Sequence, residues 1–403
     1  MMLLTAGTRG DVEPFTALAR HAADAGHEVR LGLVDGSGAD AAGLDAVSLE
    51  MPASAVVPDL TGGPMAVLRR VRGEVRPSLR RMLAAAVRET VAFRPDVVVH
   101  HPLVLSAPMV ADALAVPRVL VEFSPVATPS VELPAAGGPT ALRDLGRANR
   151  WTYAVPRAAA RLLRADVAAA AEQLPAGRSP GARTRSRATL MAISPQLLPR
   201  PSDWPSRVHL TGAWSDERTD HVLDPSVAAF LRGAVLVASF GSMAAGDPVL
   251  RAEAVVAAAR AHGLRVLLLT GWGGLQPRHD LLGPDVLAMR SAPLGPVLQG
   301  ASVVVHHGGA GTAHAAARAG VPSVVVPFIA DQPFWAHRLH RVGIAAAPVP
   351  FRRVTADALR VAVGEALRQG PRAAAVGRAV RAEHGVQHAV EVLEAVRADD
   401  VRR

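Results

Sequence analysis

The sequence has no cysteine, no lysine and a single tyrosine among its 403 residues. The lack of cysteine excludes disulfide bonds, thiolate zinc sites and a cysteine nucleophile. Because all 44 basic residues are arginine, the net charge of +9 and the sequence pI near 11.3 arise without a basic tail. The arginines are scattered and aromatic residues make up only 3% of the chain, so we do not expect nucleic-acid binding.

Long hydrophobic runs are also missing. The apolar runs are much shorter than the roughly 20 residues that a membrane-spanning helix needs, and the amino terminus lacks the charged-then-apolar pattern of a signal peptide. Half of the residues are nevertheless hydrophobic, which allows sizeable cores and excludes disorder along the whole chain. We therefore expect a cytoplasmic protein of two large domains without a transmembrane segment.

Short apolar runs alternate with helical stretches along the chain. Such runs are typical of parallel strands covered by helices on both faces, so the predicted fold class is α/β with two successive doubly wound units. The segment Ser194–Pro205 contains four prolines and is the predicted linker between the units. The predicted strands are Met2–Ala6, Val29–Val34, Asp96–His100, Arg118–Val121, Thr189–Ile193, Val208–Thr211, Val235–Phe240, Arg265–Thr270, Val286–Met289, Ser302–His306, Ser323–Val326 and Ile344–Ala347.

The first predicted strand leads into a glycine-containing loop and then into a helix. The loop reads Gly7-Thr-Arg-Gly-Asp-Val-Glu-Pro14, and Pro14 suits the first turn of the helix. Asp11 in this loop follows the carboxyl end of a strand, where doubly wound sheets bind ligands. Capping of the helix is the alternative role for this carboxylate, and the loop alone leaves both roles open. The three-glycine spacing of a dinucleotide fingerprint is absent.

A second turn of this kind reads His306-His-Gly-Gly-Ala-Gly-Thr312. A buried strand stops there and a helix begins at once, so free backbone amides at the helix start suit a phosphate group. His307 adds a hydrogen-bond donor and Thr312 adds a hydroxyl group. A tight turn around a buried histidine is the alternative interpretation.

Two further strands end at the same predicted edge of the second sheet. One is followed by a loop with Asp331 and Gln332, whose polar groups suit the hydroxyl groups of a sugar. The other is followed by Ser239-Phe-Gly-Ser-Met243, which puts Ser242 at that edge. Three strand-end loops at one edge favour a ligand site over the purely structural alternatives.

With these motifs in this order, the sequence resembles the family 1 nucleotide-sugar glycosyltransferases of the GT-B fold over nearly the whole chain. The resemblance is carried by Gly7–Pro14, Phe240–Met243, His306–Thr312 and Ala330–Trp335. Within that family the chain is most similar to bacterial enzymes that decorate polyketides, macrolides and glycopeptides, and to sterol-type glucosyltransferases. The segments Asp203–Trp214 and Gly271–Gly274 favour this branch.

The resemblance implies two Rossmann-like domains that face each other across a cleft. Residues 1–200 would form the acceptor-binding domain and residues 201–382 the nucleotide-sugar-binding domain. Residues 383–403 would form a helix that crosses back to the first domain.

The resemblance also assigns roles to residues of the donor site. Asp331 and Gln332 match the contacts to the donor sugar, and Ser242 lies on a second phosphate-side loop. The residues that match the diphosphate-binding turn are His307, Gly309, Ala310, Gly311 and Thr312.

For the acceptor side, the resemblance implies that Asp11 is a general base. It stands three residues before Pro14, where plant members have a histidine and antibiotic-type relatives an aspartate. The plant enzymes support that histidine with an aspartate, and the matching position here is His101, six residues after Pro95. His101 is therefore a candidate to hold or polarise Asp11, and an ordinary strand-end histidine is the alternative.

Two departures from the family pattern concern the nucleotide. Ala315 stands where plant members have a glutamate that grips the ribose, which favours a deoxythymidine sugar. Relatives that use uridine donors also lack this glutamate. Pro293 is followed by Leu294, where sterol-type members usually have histidine. UDP- and dTDP-sugars both stay open as donors.

We thus infer an inverting hexosyltransferase-type enzyme of the EC 2.4 class, which transfers a sugar to a hydroxyl group of an apolar natural product. The nucleotide sugar is a co-substrate, and neither a cofactor nor a metal ion is expected, because no paired acidic residues suit a magnesium ion at the diphosphate. The alternatives are a non-catalytic auxiliary protein and a GT-B nucleotide-sugar epimerase. A homodimer stays open. Candidate walls of the acceptor pocket, with core packing as the alternative, are Phe15, Phe123, Trp151 and Tyr153.

Overall fold

Two parallel sheets organise the chain. The computed structural model describes residues 1–56, 69–138, 144–177, 186–216, 223–241, 243, 246–271 and 273–401. The first sheet contains β1 to β7, at Met2–Leu4, Arg30–Asp35, Asp45–Pro52, Val98–His100, Arg118–Glu122, Ala188–Met191 and Val208–Leu210. The second sheet contains β8 to β12, at Val235–Ser239, Arg265–Leu269, Val286–Met289, Val303–His306 and Ser323–Val325.

The α-helices in the described ranges are numbered in chain order. In the first half they are α1 to α6, at Arg9–Asp24, Arg76–Phe93, Ala107–Leu114, Asn149–Thr152, Ala154–Leu162 and Arg164–Ala170. In the second half they are α7 to α14, at Pro225–Phe230, Pro248–Arg260, Leu294–Gln299, Ala310–Ala319, Gln332–Val342, Ala356–Arg368, Gly370–Arg381 and Gly385–Val401. Helices connect most of the parallel strands, which confirms the predicted α/β class.

Both sheets have a topological switch point. The first has the order β3-β2-β1-β4-β5-β6-β7 and the second the order β10-β9-β8-β11-β12, and every pair of neighbours is parallel. In the first sheet the chain runs from β1 toward one edge and from β4 toward the other. In the second sheet it does the same from β8 and β11. A crevice opens at the carboxyl ends of such strand pairs, and doubly wound sheets bind ligands there. The first turn of α1, which contains Asp11, follows β1, and the His307 turn follows β11. The helix begins at Arg9, so Asp11 is not in a loop as predicted and Pro14 lies beyond the first turn.

The strand predictions hold with two exceptions. The predicted strand Ile344–Ala347 is wrong, because only Ala345 forms an isolated bridge, with Ser323 of β12. The prediction also missed β3. This strand lies at the sheet edge and most of its residues are at least partly exposed, so it lacks the continuous apolar run of a central strand.

The predicted linker Ser194–Pro205 does not join the two sheets. It lies between β6 and β7 of the first sheet, and the chain leaves that sheet only after Leu210. A domain boundary at residue 200 would therefore cut the first sheet. The prolines lie in a segment of irregular backbone. Leu197 and Leu198 in this segment are fully buried, so it packs against the rest of the protein and is not a free linker.

The final helix, α14, packs on the first sheet. Val386, Ala389 and Leu393 share a hydrophobic cluster with Phe15 and Leu18 of α1. A separate cluster joins the two halves of the chain, with Ile193 and Leu197 from the first half and Trp335 from α11. These contacts hold the two sheets against each other, so the loops after β1 and β11 face one another.

Candidate active site

The starts of α1 and α10 meet across the cleft. A Cβ atom placed on Gly311 would lie 3.0 Å from the Cα atom of Gly10, so the two backbones touch and a side chain at Gly311 would push them apart. In α10 the first intrahelical bond is donated by the amide of Ala313, to Gly309. The amides of Ala310, Gly311 and Thr312 lie in the turn before it, where helix amides lack intrahelical acceptors and favour an anion.

Asp11 caps α1 with only one of its carboxylate oxygens. Oδ2 accepts hydrogen bonds from the amide of Thr8 at 2.8 Å and from the Thr8 hydroxyl at 3.2 Å. Oδ1 makes no hydrogen bond with any residue in the described ranges. Gly7 leaves room for the carboxylate, because a Cβ atom there would lie 2.2 Å from Oδ2. The cap and a second role are therefore compatible in one side chain.

Burial raises the pKa of the Asp11 carboxyl to about 6, and the hydrogen bonds from Thr8 oppose this rise. A carboxylate with this pKa is ionised at neutral pH and is more basic than an exposed aspartate. It therefore suits the removal of a proton near neutral pH.

Asp331 lies opposite Asp11, on the second domain. It precedes α11 and follows Ala330, which has a left-handed backbone with φ of 56°. Burial, together with the negative charge of Asp11, raises the pKa of Asp331 to about 7, and hydrogen bonding to the carboxyl group opposes this rise. Each domain thus contributes one carboxyl group to the cleft.

Gln332 supports the Asp331 loop from inside. Its Oε1 atom accepts hydrogen bonds from the amides of Phe328 at 2.8 Å and Ile329 at 3.2 Å, and its Nε2 atom contacts Sδ of Met243 at 3.3 Å. The side chain is buried. In this structure Gln332 therefore shapes the loop and does not point its amide into the cleft.

His307 is packed between two strand-end loops. A Cβ atom on Gly309 would lie 2.6 Å from Nε2 of His307, and one on Gly241 would lie 3.3 Å from its Cε1 atom. Burial lowers the pKa of His307 to about 4, so its ring is neutral at pH 7. Gly308 turns the chain before α10 with φ of 90°. Ser242, the predicted partner on the neighbouring loop, lies outside the described residues.

The structure does not bring His101 into a hydrogen bond with Asp11 among the described residues. Nδ1 of His101 accepts a long hydrogen bond from the amide of Leu103 at 3.4 Å, and the ring stacks on Phe123 with 5.8 Å between centroids. Burial and the neighbouring His100 lower the pKa of His101 to about 3, so the ring is neutral. With Nδ1 as an acceptor, the ring proton is on Nε2.

The four candidate aromatic residues occupy different environments. Phe15 is fully buried against Phe123, and Tyr153 is fully buried with its hydroxyl donating to the carbonyl of Leu133 at 3.2 Å. Both are core residues in this structure, as the alternative interpretation has it. Trp151 is 78% exposed on α4. Phe123 stacks on His101, which follows β4 at the cleft.

Glu122 was not identified from the sequence. Its buried carboxylate accepts hydrogen bonds from the amides of Val126 at 2.9 Å and Ala127 at 2.7 Å, and from the hydroxyl of Thr128. It thereby fixes the loop after β5, which contains Ser124. An acidic residue at the end of a buried strand was the available signal.

The described residues contain no cluster of three or more His, Asp or Glu side chains arranged to hold a metal ion. Within the same ranges, no helix has the length and hydropathy needed to cross a membrane.

Two family descriptions match the chain. Residues 1–131 match the glycosyltransferase family 28 N-terminal domain, and residues 275–396 match the C-terminal domain of erythromycin biosynthesis protein CIII-like proteins. The O-mycaminosyltylonolide 6-deoxyallosyltransferase of Streptomyces fradiae is 33% identical, with 97% of this chain and 96% of that protein covered. The chain belongs to the glycosyltransferases.

Another relative of this glycosyltransferase is the vancomycin aglycone glucosyltransferase of Amycolatopsis orientalis, which is 30% identical with 98% of this chain and 97% of that protein covered. The solved glycotransferase of kitacinnamycin covers 98% of both chains with a TM-score of 0.71 and 21% identity. The glycosyltransferase VinC, solved in complex with DTDP, covers 99% of both chains with a TM-score of 0.63 and 21% identity. The fold is GT-B, and the enzyme is a transferase of the antibiotic-biosynthesis type.

Proposed function

We propose that this glycosyltransferase moves a sugar from a UDP- or dTDP-sugar to a hydroxyl group of an apolar polyketide, macrolide or glycopeptide acceptor, with inversion at the anomeric carbon. The observation that carries this proposal is the arrangement of Asp11. Its free Oδ1 atom belongs to a buried carboxylate of raised pKa, on a helix start that touches the phosphate-type turn at Gly311. The named acceptors of the relatives and the DTDP bound to VinC support the substrate classes.

In this proposal the second domain holds the donor. The diphosphate lies at the start of α10, against the amides of Ala310 to Thr312, with Gly309 before them and His307 beside them. Ser242 stays a predicted phosphate contact on the basis of its position in the sequence. The sugar lies toward Asp331, and Gln332 keeps that loop in shape.

The transfer step then follows from the positions of the two domains. Asp11 accepts the proton of the acceptor hydroxyl group as its oxygen forms a bond to the anomeric carbon. The bond from that carbon to the diphosphate oxygen breaks on the opposite face, and the electron pair leaves with the diphosphate. Preorganised amides at the helix start stabilise the leaving charge without reorganisation, which is usually worth several kcal/mol in a dry site.

The acceptor lies on the first-domain side of the cleft. Phe123 and the stacked ring of His101 offer an apolar face next to an Nε2–H donor. Phe15 supports Phe123 from the core. The His101 ring is neutral, so it adds no positive charge that would lower the pKa of Asp11.

Release of free nucleoside diphosphate tests the proposed reaction. The enzyme is incubated with dTDP-glucose or UDP-glucose, with and without a panel of polyketide and glycopeptide aglycones. A transferase releases diphosphate only when an acceptor is present. Release of nucleoside diphosphate without an acceptor, or isomerisation of the donor sugar, would indicate epimerase chemistry. Binding of the nucleoside diphosphate without turnover would indicate an auxiliary protein.

Transfer is expected to proceed without a divalent metal ion. The diphosphate charge is assigned to backbone amides and His307, and the helix dipole adds roughly 0.3–1 kcal/mol. Asp331, the carboxyl group on the donor side, is assigned to the sugar. Dialysis against a strong chelator should therefore leave the initial rate nearly unchanged. Loss of most of the rate, with recovery on addition of magnesium or manganese, would contradict this donor site.

A further inference from the structure

His314 connects the phosphate-type turn to the first half of the chain. It lies two residues after Thr312 in α10, and its Nδ1 atom is 2.8 Å from the carbonyl oxygen of Ala310. The amide of Ser194 donates to its Nε2 atom at 3.2 Å. Since Nε2 is an acceptor, the ring proton is on Nδ1 and is donated to Ala310. Both ring nitrogens are therefore used, one on each side of the domain contact.

Ser194 continues this connection to the segments that pass between the domains. Its Oγ atom donates to Oε1 of Glu383 at 2.6 Å, and the amide of Ala213 donates to Oε2 of the same carboxylate at 3.1 Å. Ala213 lies where the chain leaves the first sheet, and Glu383 lies just before α14 returns to it. Four residues from distant parts of the sequence thus form one hydrogen-bonded set, which we call the hinge latch: Ser194, Ala213, His314 and Glu383.

The two passages between the domains run tightly against each other at the hinge latch. A Cβ atom on Gly385 would lie 2.5 Å from the carbonyl oxygen of Ala213, and one on Gly212 would lie 3.1 Å from Oε2 of Glu383. Glycine at both positions permits this contact. Rotation of one domain relative to the other would strain these backbone contacts. The hinge latch therefore lies where a change in the width of the cleft would disturb its hydrogen bonds.

We propose that His314 is a positioning residue for transfer, which fixes the start of α10 relative to Asp11 by joining it to Ser194 and Glu383. The inference rests on the proposed function, because it assigns the diphosphate to the start of α10. His314 contacts neither Asp11 nor Asp331 through any hydrogen bond in the described ranges. It therefore acts through the placement of the turn that holds the leaving group.

Three further observations support a defined geometry at His314. Burial lowers its pKa to about 4, so the neutral ring keeps the same donor and acceptor through neutral pH. The ring packs edge-on against Trp335 with 4.8 Å between centroids, which holds its orientation. Ser194 is fully buried, so its amide would lose its partner without gaining water if Nε2 were removed.

Misplacement of the leaving group should affect turnover more than donor binding. The amides that bind the diphosphate all belong to α10 and move together, whereas the distance to Asp11 depends on the domain contact. We therefore expect loss of the Ser194 contact to lower kcat by about tenfold, because misplacement of reacting groups by about 1 Å can cost up to roughly 100-fold in rate. The Kd of dTDP or UDP should change by less than about threefold, because the amides that bind the diphosphate keep their positions relative to one another.

Two substitutions separate the two bonds of His314. His314→Gln carries its amide oxygen as many bonds from Cα as Nε2, so it can still accept from Ser194 but loses the bond to Ala310. His314→Asn carries its amide nitrogen at the distance of Nδ1, so it keeps the bond to Ala310 but cannot reach Ser194. The positioning role predicts that kcat falls about tenfold in His314→Asn and recovers largely in His314→Gln. A role within α10 alone predicts the reverse order.

His340→Ala is the matched control, because His340 also bonds a backbone carbonyl, that of Ala345 at 3.0 Å, without a partner from the first domain in the described ranges. Hydrogen exchange of the Ser194 amide gives a readout that needs no activity. We expect faster exchange in His314→Asn than in His314→Gln or His340→Ala. Equal kcat values for the Asn and Gln variants, or equal exchange at Ser194, would overturn the inference. Altered exchange in an enzyme that transfers no sugar would instead count against the proposed function.

Discussion

Asparagine in place of Asp11 is expected to slow sugar transfer by about 100- to 10,000-fold, the usual contribution of a general base. Asparagine has nearly the same shape, and its amide oxygen can still accept the hydrogen bond from the Thr8 amide that caps α1. It also fits beside Gly7, where the space is limited. The substitution therefore removes the basic oxygen and leaves the helix start intact. Initial rates of diphosphate release with a saturating acceptor measure the effect.

The matched control is Glu13→Gln, which removes a carboxylate from the same helix. Glu13 is exposed and paired with Arg9 at 2.5 Å, so it should have little effect on the rate. Nucleoside diphosphate affinity should be unchanged in both variants. Because the pKa of Asp11 is raised to about 6, the wild-type kcat/KM should fall as the pH drops below about 6, and the remaining activity of Asp11→Asn should lack this fall. Transfer by Asp11→Asn within a few-fold of the wild-type rate would show that Asp11 is not the base.

Alanine in place of His307 is expected to weaken diphosphate binding and to slow turnover, each by roughly ten- to hundredfold. A hydrogen bond to a charged group is worth about 1.5–3 kcal/mol. The proposed bond from His307 to the diphosphate is present in the bound donor and in the transition state, so its loss affects both binding and rate. The ring also fills the space between Gly241 and Gly309, so its loss loosens both loops. Calorimetric titration with dTDP and UDP measures the binding effect.

His262→Ala provides the control for His307. His262 bonds the carbonyl of Arg360 at 2.8 Å and precedes β9, so it lies at the opposite edge of the sheet from the strand-end loops. The change should leave diphosphate affinity as it is in the wild type. If His307→Ala binds diphosphate normally and turns over normally, His307 is only a buried structural histidine.

The positions of the main loops were predictable because they depend on local patterns. A short apolar run followed by glycine and then a helix places Asp11 and the His307 turn at strand ends. The order of the strands then puts both loops at switch points. None of this requires knowledge of a side-chain conformation.

Side-chain contacts between distant segments were not predictable in the same way. Whether His101 reaches Asp11 depends on the ring orientation, and the structure turns that ring onto Phe123. The burial of Tyr153 and the exposure of Trp151 depend on how short helices pack, although both are aromatic residues in the same stretch. The bond between Ser194 and Glu383 spans 189 residues, and a polar residue in a proline-rich segment gives no sign of it.

The configuration of the glycoside product tests the central claim most directly. In dTDP-glucose and UDP-glucose the sugar has the α configuration, and attack by a hydroxyl group activated by Asp11 opposite the diphosphate inverts it. Proton NMR of the purified glycoside should therefore show a β linkage, formed by the wild type and nearly absent with Asp11→Asn. An α-linked product would contradict direct displacement across the cleft between Asp11 and the start of α10.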